Sequence, residues 1–414
     1  MANVGLMILL LLLLPGQSHA DVWKNKHQWT SEQDKRYVKW VRKNWTPDIF
    51  MDKHRPAYYR IATDCADATY FMRLIFAWEN KLPFVIHHPY KRGKRLSNST
   101  RAFDKIPAGI PRLRAFMEYV STQVSSKSLP NDTYPIALKA IRPGDVYVSP
   151  GNHSFQIIDI SETGIPTVLN SSTPKAPRYL NLQHTFPLFV PTDTKSWRDG
   201  YRRFRNPDDL DKPMNQLPDF STEQYRIAKA AGYSYVRFSN ILAYTLGSRR
   251  ETVSEKARRL FNDLCALTRK RREYVDEGVD YLRILHKKKH RRCMNRHEYG
   301  QYSTFHRDQR LAALFNQVKR QSLQMVNHGE HNHALKLLRA IFRPETIDSA
   351  LLAELDQRCP IRIDDQDGPI LNLRSVWQVI QAGRLESDPH ATRQQRWGIA
   401  EKPYTPHCPV YEDR

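Results

Sequence analysis

Residues 62–71 read ATDCADATYF, and the reading of Cys65 in that stretch decides the fold. Asp64 is a good N-cap, because its carboxylate can accept the orphan N–H groups of a first helical turn. The run that follows carries Phe71, Met72, Leu74, Ile75, Phe76 and Trp78. These positions wrap most of a helical circumference, which predicts a largely buried helix over about 65–80. Asn80 suits the left-handed conformation that would end it. Cys65 then sits on the first turn, where the macrodipole and free N–H groups favour a thiolate.

Whether that sulfur is free follows from the other cysteines. The chain of 414 residues has five: Cys65, Cys265, Cys293, Cys359 and Cys408. Residues 1–20 read as an export signal. Met7 to Leu14 is an unbroken apolar run, Pro15 and Gly16 break it, and Ser18 and Ala20 are small residues before a cleavage point. No later stretch is apolar enough for a membrane helix. In an oxidising compartment an odd cysteine count leaves at least one unpaired. The economical pairing joins Cys265 to Cys293 and Cys359 to Cys408, with the other two pairings of these four left open. Cys65 is then the free thiol.

A reactive cysteine needs a base, and His153 is the candidate. In RPGDVYVSPGNHSFQIIDISETGIPTVLNSS, residues 142–172, His153 opens an apolar strand that ends near Ile160. Thr163-Gly164 turns the chain into a second strand that runs to Asn170. If Ile160 pairs with Ile165, His153 faces Ser172 and lies diagonal to Asn170 on one sheet face, within side-chain reach. An amide oxygen there can fix one imidazole tautomer and aim the other nitrogen at a thiol. Nucleophile, base and orienter are the parts a cysteine hydrolase requires.

That order of Cys on a helix, His on a strand and Asn on the next strand resembles the papain-like cysteine peptidase superfamily. TDCADATYFMRLIF and RPGDVYV…NHSFQII are similar to the bacterial NlpC-type cell-wall peptidases and to the related transglutaminase-like cysteine proteinases. The likeness covers about residues 50–180. It implies Cys65 as nucleophile, His153 as base and Asn170 as the polar third residue, with the Cys65 N–H contributing to an oxyanion hole. It also implies a tyrosine bordering the site before the cysteine, for which Tyr59 is preferred over Tyr58, and Asp64 beside the substrate. Ala66-Asp67 stands where the NlpC pattern has Ser-Gly.

The expected fold is α+β. A papain-like core, with the buried Cys-bearing helix on an antiparallel sheet, precedes a mainly α-helical C-terminal region. The expected division is a signal peptide at 1–20, a lead-in at 21–50, a catalytic domain at 51–195, a linker at 196–220 and a basic helical region at 221–414 stapled by two disulfides. Residues 85–101 read as an exposed basic loop. Ser221 with Gln224, and Thr252 with Glu255, fit capping boxes. Apolar residues from Leu260 to Leu285 recur at helical spacing.

The net charge of +22 and pI near 9.8 suggest an anionic cell-envelope polymer or a peptide as partner. No nucleic-acid module accompanies the basic runs. His328, His331 and His333 are close together, but no further ligand pattern completes a zinc set, and no cofactor or metal is expected. Sequons stand at Asn44, Asn98, Asn131, Asn152 and Asn170, and glycans on Asn152 or Asn170 would crowd the site, which points to a source that does not glycosylate there, such as a bacterium. The expected function is an exported thiol hydrolase acting on an amide bond in cell-wall peptide. The alternatives are a non-catalytic envelope-binding protein and an acyl transferase on the same triad.

Overall fold

The structure, a computed structural model, describes residues 21–411 apart from 152, 188, 326–331, 344 and 364–367. The expected signal segment, His328 and His331 lie outside the described residues. The first half runs α1 (Ser31–Asn44), α2 (Cys65–Glu79), β1 (Val85–His87), β2 (Arg95–Ser97), α3 (Ile110–Gln123), α4 (Leu129–Asp132) and β3 (Thr133–Pro135). Then come β4 (Val146–Val148), β5 (Ser154–Ile160), β6 (Pro166–Asn170), β7 (Asn181–Gln183) and β8 (Gly200–Phe204). Helices dominate the rest: α5 (Glu223–Ala230), α6 (Tyr235–Leu246), α7 (Val253–Lys289), α8 (Arg296–Tyr302), α9 (Phe305–Gln324), α10 (His333–Ala340) and α11 (Ser349–Arg358). A small hairpin of β9 (Ile361–Arg362) and β10 (Ile370–Leu371) precedes α12 (Leu373–Gln381) and α13 (Arg393–Arg396). No described helix is long and apolar enough to cross a membrane.

A six-stranded antiparallel sheet in the order β3-β8-β4-β5-β6-β7 organises the first half. One face, through Val146, Val148 and Leu169, packs on Phe71, Leu74 and Ile75 of α2 and on Phe116 of α3. The other, through Tyr147, Phe155, Ile157 and Val168, packs on Phe238 and Leu242 of α6. A separate core gathers α7, α9, α10 and α12 around Leu264, Phe315, Leu338 and Trp377. The chain is therefore mixed α/β with a helical C-terminal region.

Asp64 caps α2 as the residue types dictate: its side chain accepts from the N–H groups of Ala66 and Asp67, and Asp67 reciprocates onto the Asp64 N–H. Phe71, Met72, Leu74 and Ile75 are fully buried, each contributing about 1.5–3 kcal/mol by apolar burial. The helix ends one residue differently from expectation. Asn80 has φ −99, and the left-handed conformation falls on Lys81 at φ 54.

Further expectations are corrected or sharpened. The linker expected at 196–220 contains β8, an interior strand of the sheet. Its arginines hid it, because buried guanidinium groups look like surface charge in a sequence. Arg202 instead donates to Thr133 Oγ1 and O at 2.8 Å, and Arg203 pairs with Asp145 at 2.8 Å. The lead-in carries α1, and its Trp23, Trp29, Val41 and Trp45 belong to the α2 core. Residues 85–97 form the β1–β2 hairpin, whose basic tip at 90–95 is exposed as expected. Thr222, not Ser221, precedes α5, and Gln224 is buried against Tyr201 of β8 rather than serving a capping box. The box at Thr252 and Glu255 does open α7.

The disulfides are Cys265–Cys359 and Cys293–Cys408, so the economical pairing is wrong. The reason is α7 itself. It continues unbroken past Cys265 to Lys289, about 36 Å of rigid helix, and Cys293 lies beyond its end. Cys265 instead reaches Cys359, the residue that caps the C-terminal end of α11, within the C-terminal core.

Candidate active site

Cys65 is the unpaired cysteine, buried at the first position of α2 with about 7 % of its surface exposed. It opens on a cavity of about 330 Å³ that His153, Asn170 and Asp64 also line. A polar seam fixes the cysteine backbone. Ser154 Oγ donates to the Cys65 carbonyl at 2.8 Å, and so does Thr69 Oγ1 at 2.9 Å. Gln156 Nε2 then donates to Thr69 Oγ1 at 2.6 Å. Ser154 and Gln156 alternate along β5 and are wholly buried, which ties the start of α2 to that strand. Sequence reasoning missed this seam. The signal was two polar residues at period two, Ser154 and Gln156, at the apolar start of a strand whose one other polar residue is the exposed Asp159.

The β5–β6 ladder pairs Ile160 with Pro166 and Asp159 with Thr167, then shifts by one residue through a bulge before Ile157 pairs with Val168 and Gln156 with Leu169. The expected register fails at the turn end and the bulge returns the strands to it near the site. His153, just before β5, is thereby diagonal to Asn170 at the end of β6. Its Nε2–H donates to Asn170 Oδ1 at 3.3 Å. The same oxygen accepts from Asn181 Nδ2 of β7 at 3.1 Å, so the amide oxygen is turned toward donors. With Nε2 so engaged, Nδ1 carries the free lone pair. Phe155 packs edge-on to the imidazole with centroids 4.7 Å apart.

Tyr59 does not border the cavity. Its carbonyl accepts from Arg114 Nη1 at 2.9 Å, while Tyr58 turns inward and donates to Glu79 Oε1 at 2.8 Å. The far wall comes from the helical region, which no sequence pattern places there: Leu267, Lys270 and Tyr274 of α7, with Arg307 and Arg310 of α9. Arg307 donates to the Thr173 carbonyl at 3.0 Å, and Arg178 pairs with Glu277 of α7 at 3.0 Å. These contacts hold α7 and α9 against the loop after β6.

Electrostatics oppose the thiolate expected at a helix start. Burial, then the Asp64 carboxylate, push the Cys65 thiol up to about 11, with hydrogen bonds from Ser154 and Ser126 offsetting part of the rise. Burial and Arg310 push His153 down to about 3; the bond to Asn170 opposes this and Arg307 adds to it. At neutral pH these shifts leave the thiol and the imidazole both uncharged. Asp67, buried beside Asp64 and 3.4 Å from Lys175, is pushed up to about 7.

Two sequons are structural. Asn98 is fully buried, accepting from the Phe84 N–H and donating to the Trp23 carbonyl, and Asn170 is buried in the site. His333 of the histidine run pairs with Glu354 at 2.7 Å. Compared with models of protein families, with curated proteins and with solved structures, the chain matches none.

Proposed function

We propose that the chain is an exported thiol hydrolase with a papain-like core, cleaving an amide bond in cell-wall peptide. The observation that carries this reading is the His153–Asn170 bond of 3.3 Å, which occupies Nε2 and leaves Nδ1 to take a proton, in a histidine that lines the same cavity as Cys65. In the reaction the Cys65 sulfur attacks the carbonyl carbon as its proton passes to His153 Nδ1. The cap on Asp64 uses the Ala66 and Asp67 N–H groups and leaves that of Cys65 for the developing oxyanion. The C–N bond then breaks, and the imidazolium returns the proton to the leaving amine. Water, deprotonated by His153, attacks the thioester and regenerates the thiol. Because the resting groups are neutral, the proton moves during attack and not before it.

Mass spectrometry of cell-wall peptides incubated with the chain tests this. New amine and carboxyl termini should appear with the unaltered protein and be lost in Cys65→Ala and His153→Ala. Intact peptides, or equal cleavage by Cys65→Ala, would refute it.

A second reading has its own support. A thiol at about 11 beside a histidine at about 3 also suits a non-catalytic scaffold whose basic helices bind anionic envelope polymer. Tight binding to that polymer by a chain that cuts no peptide would favour it.

A further inference from the structure

The C-terminal helices bring unneutralised positive charge to the thiol. Arg307 and Arg310 lie one turn apart on α9, and both line the Cys65 cavity. Arg310 donates only to the His306 carbonyl of its own helix, at 3.0 Å, and approaches the Phe189 ring at 5.6 Å. Arg307 donates to carbonyl oxygens, chiefly Thr173 O, and stacks over Tyr274 at 3.9 Å. Among the described residues neither guanidinium has a carboxylate partner. The nearby acids are committed elsewhere: Glu273 to Lys270, Glu277 to Arg178, and Asp64, which also lines the cavity, to the Ala66 and Asp67 N–H groups. Burial lowers the Arg310 pKa, and the Arg307 charge lowers it further, while Cys65 is close enough to act in the opposite sense.

Two like charges held together in a partly desolvated wall are unfavourable until an anion arrives. Guanidinium forks match the two oxygens of a carboxylate. We infer that Arg310 and Arg307 form a carboxylate-binding subsite beside Cys65, so that the substrate is a peptide with a free carboxylate close to the scissile amide. This rests on the hydrolase reading for its substrate class. An anion seated there would also offset the field that Arg310 and Arg307 exert on His153, removing that part of the lowering of the imidazole while burial, its larger cause, remains. The other charged or titratable residues that line the cavity with that histidine are Cys65, Asp64, Lys270 and Tyr274.

Iodoacetate and iodoacetamide test the subsite directly. They differ in one charge, and both alkylate sulfur by displacing iodide while the thiol proton leaves to base. An ordinary thiolate repels the anion and prefers the amide. On the full chain, with modification of Cys65 read by mass spectrometry at one alkaline pH, iodoacetate should instead be preferred by about tenfold. Arg310→Gln should abolish the preference and Arg310→Lys should retain part of it. Salt near 1 M, with a Debye length of about 3 Å, should weaken it. Preference for iodoacetamide in the unaltered chain would overturn the subsite and leave the hydrolase reading standing. A preference that survives both Arg310→Gln and Arg307→Gln would overturn the assignment to these residues. Inertness to both reagents would overturn the subsite and the hydrolase together.

Discussion

His153 and Asn170 are joined across two strands: Nε2 of the histidine lies 3.3 Å from Oδ1 of the asparagine. This bond fixes the tautomer, so its loss should cost turnover and not binding. Asn170→Ala is expected to lower kcat by about tenfold or more with KM little changed, against about 10²–10⁴-fold for His153→Ala. Steady-state kinetics on a cleaved peptide measures the split. A rise in KM alone would place Asn170 in binding instead.

The pH dependence of thiol reactivity follows from the two shifted groups. Cys65 is raised, so the uncharged thiol persists to about pH 11 and the thiolate fraction climbs roughly tenfold per pH unit below that. His153 is lowered to about 3, so it stays neutral from acid to alkaline pH and adds no inflection near 6.5. Iodoacetamide modification of the chain should therefore rise steadily from pH 7 to pH 10. A plateau reached below pH 7 would show a preformed thiolate–imidazolium pair. This reverses what the position of Cys65 at a helix start suggests by itself.

The Cys265–Cys359 bridge closes a separation of 94 residues inside the C-terminal core. Removing it with Cys265→Ala and Cys359→Ala together should cost about 2–5 kcal/mol of stability in that region. Denaturant unfolding followed at Trp377 and Trp397, both buried there, reads the change. Since α7 also forms the cavity wall, the same variant should lose peptide cleavage at denaturant concentrations the unaltered chain tolerates. An unchanged midpoint would contradict the assignment.

How much of this was legible in the sequence depends on whether the determinant was local. The cap at Asp64, the buried circumference of α2 and the turn at Thr163-Gly164 are written in neighbouring residues, and so were readable. The bulge between Ile157 and Asp159 was not, though it decides which residue of β6 faces His153. Strand β8 was concealed because Arg202 and Arg203 are satisfied by partners distant in sequence, Thr133 and Asp145. The disulfides misled for the opposite reason. Proximity in sequence suggested Cys265 with Cys293, yet the rigidity of the helix between them forbids it. The cavity wall from α7 and α9, with Arg307 and Arg310, is set by tertiary packing that no spacing announces.

The most direct measurement of the central claim is formation of a thioester at Cys65. The chain would be mixed with an activated peptide ester and its intact mass followed in time. The account predicts a gain of one acyl group, mapped to Cys65, about a hundredfold slower in His153→Ala. No adduct at Cys65, or equal rates with and without His153, would contradict it.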